Sequence, residues 1–179
     1  MSQQTKEPDF VTEFINRLRH LDPGERARLK RNAGSALDDS HSALGLFYKT
    51  LLRDANLPEW VEDRYFLVAT LFPFDKSRDD SGESPGNLGV SLRGVRTEKN
   101  KEGLDNRFER LLDADEQQLP FYLRREIQFI TNAGGRIDWE QLLRDILGWQ
   151  HPSRYVQRNW ARAYFATPVQ SSETINQNS

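Results

Sequence analysis

The sequence predicts an all-α protein: a four-helix N-terminal half, a flexible middle and a helical C-terminal half. Three features of the sequence carry that expectation. Apolar residues recur at three- and four-residue spacing along most of the 179-residue chain. Helix ends are written out as cap residues, Pro at first helical positions and Gly just past the last turn. One stretch, Pro73 to Asn87 (PFDKSRDDSGESPGN), is so rich in Asp, Ser, Gly and Pro that it divides the helical text in two.

Phe10, Val11, Phe14, Ile15 and Leu18 share one face of a first helix. LDPGERARLKRNAG reads as the second. Asp22 caps it, Pro23 takes the first helical position, Glu25 closes a capping box and Gly34 supplies the stop. Leu44, Phe47, Tyr48 and Leu51 mark a third helix, and a fourth runs from about Pro58 to Leu71 with Trp60, Val61, Tyr65, Val68 and Leu71 inward. After the loop, Leu88, Val90 and Leu92 alternate, which suggests a short strand. Helices resume at Leu104, through Phe108, Leu111 and Leu112, and again at Pro120, through Leu123, Ile127 and Ile130 to the stop NAGG. Asp138 caps DWEQLLRDILGW, which buries Trp139, Leu142, Leu143 and Ile146 and ends at Gly148. Pro152 opens the last helix, through Tyr155, Val156, Trp160 and Tyr164. The expected division is an N-terminal bundle with an acidic flexible loop over 1–86, a basic connecting segment and C-terminal bundle over 87–166, and a disordered tail over 167–179.

Composition narrows the function classes. A chain with 29% charged residues, 36% apolar residues and net charge −2 suits helices around a thin core with a wet surface. With no Cys there is no disulfide framework, thiolate nucleophile or Cys-ligated metal, which fits a reducing cytoplasm. No signal peptide and no apolar run of about 20 residues is present, so a soluble protein is expected. There is no phosphate-cradling GxxxxGK signature and no GxSxG elbow, since GESPG at 82–86 falls in the Asp-, Ser-, Gly- and Pro-rich loop rather than between a strand and a helix, and His20, His41 and His151 stand apart without ligand spacing. Asp113, Asp115 and Glu116 are explained more simply as a charged turn than as a Mg²⁺ site. Neither catalysis nor a cofactor or metal is expected. Trp60, Trp139, Trp149 and Trp160 all fit core positions.

Basic residues are the stronger signal. Asn87 to Arg110 concentrates Arg93, Arg96, Lys99, Lys101, Arg107 and Arg110 in a slightly acidic chain. Arg17 to Arg31 holds six Lys/Arg against Asp22 and Glu25, and Arg154, Arg158 and Arg162 form an i, i+4, i+8 stripe with Asp145 the nearby acid in sequence. Like charges at i, i+4 are mildly unfavourable unless phosphates bridge them. A charge run is usually a solvated helix face. Net charge −2 argues against a free-standing nucleic-acid binder, though not against a bipolar protein that meets a polyanion on one face and a protein assembly on the other.

The order LDPGERARLKRNAG, GVSLRGVR, NRFERLLDAD, LPFYLRREIQFITNAGGRIDWEQLLRDILGW and VQRNWARAYF resembles the CasB family, the small subunit of the type I-E CRISPR effector complex Cascade. The resemblance runs from about Phe10 to Phe165 and lies in the order and spacing of the pieces, none of which is a catalytic motif. It implies two packed helical bundles and a non-enzymatic subunit. Two copies would sit between the guide-RNA-bearing backbone subunits and the large subunit. It also implies that basic residues help to hold the DNA strand displaced when guide RNA pairs with its target. Carried over by position, the expected nucleic-acid-binding residues are Lys30 and Arg31, Arg93 and Arg96, Arg107 and Arg110, and Arg154. Arg158 is added on stripe geometry, and Lys99 and Lys101 by proximity. Two departures matter: Asp113 to Glu116 is acidic where some relatives place a base, and the Pro73–Asn87 loop is acidic overall. A structural subunit whose arginines meet protein or guide RNA, and an unrelated helical adaptor, remain alternatives.

Overall fold

The computed structural model of the chain describes residues 9–40, 42–53, 55–77 and 83–167. Expectations for His41, for the centre of the acidic loop at 78–82 and for the tail from 168 onward lie outside them. All regular structure among the described residues is helical, and none of those helices is long and apolar enough to cross a membrane.

Helix α1 (Phe10–Arg19) starts at Asp9, whose carboxylate accepts from the Val11 amide, and buries Val11, Phe14, Ile15 and Leu18. Helix α2 (Pro23–Arg31) carries the capping box as written: the Glu25 amide donates to Asp22 at 2.8 Å and the Asp22 amide to Glu25 at 3.0 Å. It buries only Leu29; Arg28 and Arg31 are exposed, Arg26 is half-buried and donates to the Asp75 carbonyl at 3.1 Å, and Gly34 just beyond its end takes φ +82°. Helix α3 (Leu44–Leu46) runs into a π-helical turn, Phe47–Leu51, closed by the Leu52 amide donating to the Phe47 carbonyl at 2.8 Å. The wider turn brings Phe47 and Leu51 inward and leaves Tyr48, expected inside, exposed with its hydroxyl donating to Glu62.

Helix α4 (Glu59–Leu71) is the central element, buried without interruption from Arg64 to Leu71. Trp60 precedes that run and is 52% exposed rather than in the core. A 3₁₀ turn, Phe72–Phe74, follows. The segment that reads as a short strand is helix α5 (Leu88–Gly94): Asn87 caps it by accepting from the Val90 amide. The alternation does not describe one buried face: Leu88 and Leu92 are buried, Val90 between them is exposed, and Gly89 is buried against the Trp160 backbone.

Helices α6 (Lys101–Leu112), α7 (Leu119–Asn132) and α8 (Trp139–Leu147) match the expected spans closely; Asp138 caps α8 through the Gln141 amide at 2.8 Å. Helix α9 (Tyr155–Phe165) starts later than expected. Pro152 lies in a turn, and Arg154 enters the left-handed region at φ 50° immediately before the helix.

Helix α8 crosses the boundary expected at 86/87 by packing on α1 and α4, and the buried side chains form one continuous core. Edge-to-face rings fill the N-terminal part: Phe14 lies 4.7 Å from Tyr65, and Phe47 5.2 Å from Phe66. Phe108 and Tyr164 meet at 4.3 Å and Trp149 and Trp160 at 5.1 Å in the C-terminal part. Three tryptophans are buried as expected, each with its indole N–H satisfied. Trp139 donates to Asp75, Trp149 to the Ala114 carbonyl and Trp160 to Asp145.

Candidate nucleic-acid interface

The seam between α5 and α9 organises much of the cationic surface. The Asn87 side-chain amide donates to the Asn159 carbonyl, Gly89 sits on the Trp160 backbone and the Arg96 guanidinium lies 5.5 Å from the Tyr164 ring. The order of these contacts means that the two helices run side by side in the same direction. Arg93 follows Gly89 by one turn, on the same row of α5. Arg158 and Arg162 stand on the exposed side of α9. None of these three cations has a hydrogen-bond or ion-pair partner among the described residues, and the same is true of Arg31, Lys99 and Arg110.

Other expected contacts are turned to internal use. Arg96 makes a two-pronged pair with Asp105, both bonds 2.8 Å, and Tyr164 donates its hydroxyl to the same carboxylate. The guanidinium bond holds the Asp105 carboxyl below its ordinary range, while burial, with Asp105 second, pushes the Tyr164 phenol up. Lys101 pairs with Glu98 at 2.7 Å. Arg107, expected among the nucleic-acid-binding residues, is also engaged inside the protein. It folds inward from α6 onto Glu126 of α7 at 3.0 Å, with its guanidinium 4.6 Å from the Phe129 ring.

Arg154 corrects the expected stripe. Its left-handed backbone takes it out of the α9 helical row, and its side chain donates to the Leu112 carbonyl at 2.6 Å and reaches Asp113 at 3.5 Å. Asp145, the acid nearest that stripe in sequence, is buried between α8 and α9 and meets none of its arginines.

At the end of α2, Lys30 lies over the Phe74 ring at 5.0 Å, beside exposed Arg31. Arg124 of α7 arrives at the same place, donating to the Ala33 carbonyl at 2.7 Å and covering Phe74 at 5.9 Å. Sequence reading missed Arg124, because its neighbours come from elements about 50 residues or more away. The pattern LRR in α7 was the available signal. A cleft of about 1080 Å³ between α2, the Phe72–Phe74 turn and the start of α8 is lined by Arg26, Lys76, Arg136 and Trp139 among others, and by none of the expected binding residues.

The Arg107–Glu126 pair makes a testable electrostatic claim. Burial raises the Glu126 carboxyl above its ordinary value of 4.5, outweighing Arg107, and the second Glu126 oxygen and one Arg107 nitrogen have no partner among the described residues. A raised folded-state value stabilises the fold fully below 4.5, and that contribution is lost as pH rises through the raised value. Glu126→Gln should therefore gain stability relative to the parent as pH rises from about 4 to 7, measured by urea unfolding at several pH values. A difference that stays flat with pH would contradict the raised carboxyl.

A model of the family described as CRISPR-associated protein Cse2 matches residues 25–165, a span that includes every expected binding residue. The chain belongs to the CRISPR-associated Cse2 family. A Cse2 protein from Thermus thermophilus is 39% identical over 70 residues, a stretch covering 39% of this chain and 40% of that relative. The fold resembles CasB from M. ruber, with TM-score 0.73, 29% identity and coverage of 88% of this chain and 93% of that one. It resembles a Cse2-family structure from Thermus thermophilus with TM-score 0.70, 26% identity and coverage of 88% and 96%. A chain of a pre-nicking CRISPR RNA-guided surveillance complex is similar at TM-score 0.72 and 25% identity, covering 87% and 91%. Cse2 membership agrees with the resemblance read from motif order, and the all-helical architecture is that of these relatives.

Proposed function

We propose that this Cse2-family protein is a non-catalytic small subunit of a CRISPR RNA-guided surveillance complex of the Cascade kind, acting in the cytoplasm in antiviral defence. It bridges neighbouring subunits, including a second copy of itself, and touches guide RNA only indirectly. It holds the displaced DNA strand through unpaired cations. The observation that carries strand holding is that Arg31, Arg93, Lys99, Arg110 and Arg158 have no acidic partners among the described residues, in a chain of net charge −2. Exchanging a DNA duplex for an RNA–DNA duplex is nearly balanced, so modest contacts to a strand backbone can tip it. Sequence-neutral capture needs cations aimed at phosphates and little base reading.

The opposite charge is gathered elsewhere. Burial and the nearby Asp38 carboxylate raise the Asp63 carboxyl against the opposing Arg64, with Glu116 and Glu59 adding to the effect, so four acids gather around one arginine that pairs with Glu116 at 2.6 Å. That bipolar distribution suits a subunit docked to proteins on one face and to a strand on the other. The division at residues 86/87 belongs to the same proposal, with the second segment supplying most of the strand contacts. A purely structural role is favoured for Arg96, Arg107 and Arg154, which tie helices together.

An Arg93→Ala/Arg110→Ala/Arg158→Ala variant should enter the complex normally and bind target DNA more weakly. Its salt dependence should be flatter, by about 0.7 in log–log slope for each phosphate contact removed. Failure of the complex to assemble would favour the structural reading. Normal assembly with parental DNA binding would remove these residues from strand capture.

A further inference from the structure

The outward face of α9 carries more than charge. Tyr155, Arg158, Arg162 and Phe165 fall at i, i+3, i+7 and i+10, within about 80° of arc on a regular helix. All four are exposed, the rings at 41% for Tyr155 and 47% for Phe165, while Val156, Trp160 and Tyr164 bury the opposite side. The sequence pattern places Tyr155 inside. The later helix start, after the left-handed Arg154, accompanies its outward position. The helix contains no Asp or Glu, and neither guanidinium has a partner among the described residues.

Both rings are held in place. The Tyr155 hydroxyl rests on Gly148, where a Cβ would stand 1.9 Å from it, and its ring meets His151 edge-on at 5.3 Å. Phe165 is flanked by Tyr164 at 4.8 Å and Phe108 at 6.0 Å. A ring already fixed loses little rotamer freedom when something stacks on it. Single exposed rings are common and mean nothing by themselves. Here two fixed rings, ten positions and about 15 Å apart, bracket two unpaired cations on a helix without carboxylates. Protein interfaces put apolar anchors in the centre and charge at the rim, the reverse of this order. A single-stranded polynucleotide alternates bases and phosphates, which calls for interleaved rings and cations.

We propose that this face is a base-stacking site for single-stranded polynucleotide. Bases lie on Tyr155 and Phe165, and the intervening phosphates meet Arg158 and Arg162. The inference rests on the strand-holding reading and adds that the strand is gripped by its bases as well as its backbone, without reading their sequence.

Fluorescence anisotropy of the full chain on labelled oligothymidine, and on an abasic sugar–phosphate oligomer of equal length, tests this. Tyr155→Ala and Phe165→Leu should each weaken oligothymidine binding by about fivefold or more, the lower range for one base–ring stack. They should leave the salt slope and abasic binding unchanged, and Tyr155→Phe and Phe165→Trp should restore affinity. Arg158→Ala/Arg162→Ala should weaken both probes and flatten the salt slope. Circular-dichroism melts check that each variant is folded. If the ring variants bind oligothymidine like the parent while the arginine variants weaken it, stacking is wrong and strand holding stands. Equal losses on both probes for the ring variants would also overturn stacking. If ring and arginine variants are all parental, strand holding fails and this inference with it. Non-specific strand binders reach about 0.1 mM or tighter, so no binding by the parent at about 1 mM protein in low salt also overturns it.

Discussion

Replacing Gly89 with alanine lowers the thermal unfolding midpoint by roughly 6–12 °C, the shift that about 3 kcal/mol produces in a chain of this size. A Cβ at position 89 would stand 2.2 Å from the Trp160 carbonyl oxygen and 2.9 Å from its carbon. Both atoms are backbone, so no side chain can swing aside, and α5 must lift away from α9. Lifting would unseat Leu88 and Leu92, which are 2% and 0% exposed. Gly103→Ala is the control: nothing lies within 4 Å of its would-be Cβ inside α6, so the variant should match or slightly exceed the parent. A Gly89→Ala midpoint within about 2 °C of the parent would show that the seam tolerates separation. Because α5 and α9 carry Arg93, Arg158 and Arg162, strand binding should fall along with stability.

Asp145→Ala costs roughly 2–4 kcal/mol, read as a lower urea midpoint at unchanged slope. The Asp145 carboxylate is 8% exposed and accepts from the Trp160 indole at 2.7 Å and from Gln141 at 2.9 Å. Truncation strands the Trp160 N–H in a site that is itself 0% exposed, and an orphaned buried donor costs more than a typical hydrogen bond contributes. It also leaves a small cavity between α8 and α9. Asp145→Asn keeps an acceptor for the indole and should recover about half the loss. Burial raises the Asp145 carboxyl despite these two donors, so the asparagine variant compares best at neutral pH, where the parent bears the cost of a buried charge. A parental midpoint for Asp145→Ala would mean that the indole finds another partner.

Helices whose ends are specified by near neighbours were legible in the sequence. Asp22 and Glu25 sit three residues apart, and nothing distant decides whether their reciprocal bonds form. Asp138 before α8 is a similar case. Misreadings arose where a distant element decides. Alternating Leu88, Val90 and Leu92 resembled a strand because the role of Gly89, close approach to a carbonyl 71 positions on, is invisible locally. The cation clusters were visible as composition, but their division into free and committed members was not. Arg107 finds Glu126 across a helix–helix contact, and Arg96 finds Asp105 over nine positions that include a turn. The Arg154–Arg158–Arg162 register failed at one φ angle, which sequence spacing does not encode.

The parallel course of α5 and α9 has a kinetic corollary. Their contacts join positions about 70 apart, such as Asn87 with Asn159, so the closing entropy of a long loop must be met before either helix is rewarded. During synthesis α5 emerges well before α9, the helix it packs against most extensively. The cationic face therefore comes into being late. A nascent chain that has made α1 to α4 carries Lys30 and Arg31 but not yet Arg93, Arg110, Arg158 or Arg162.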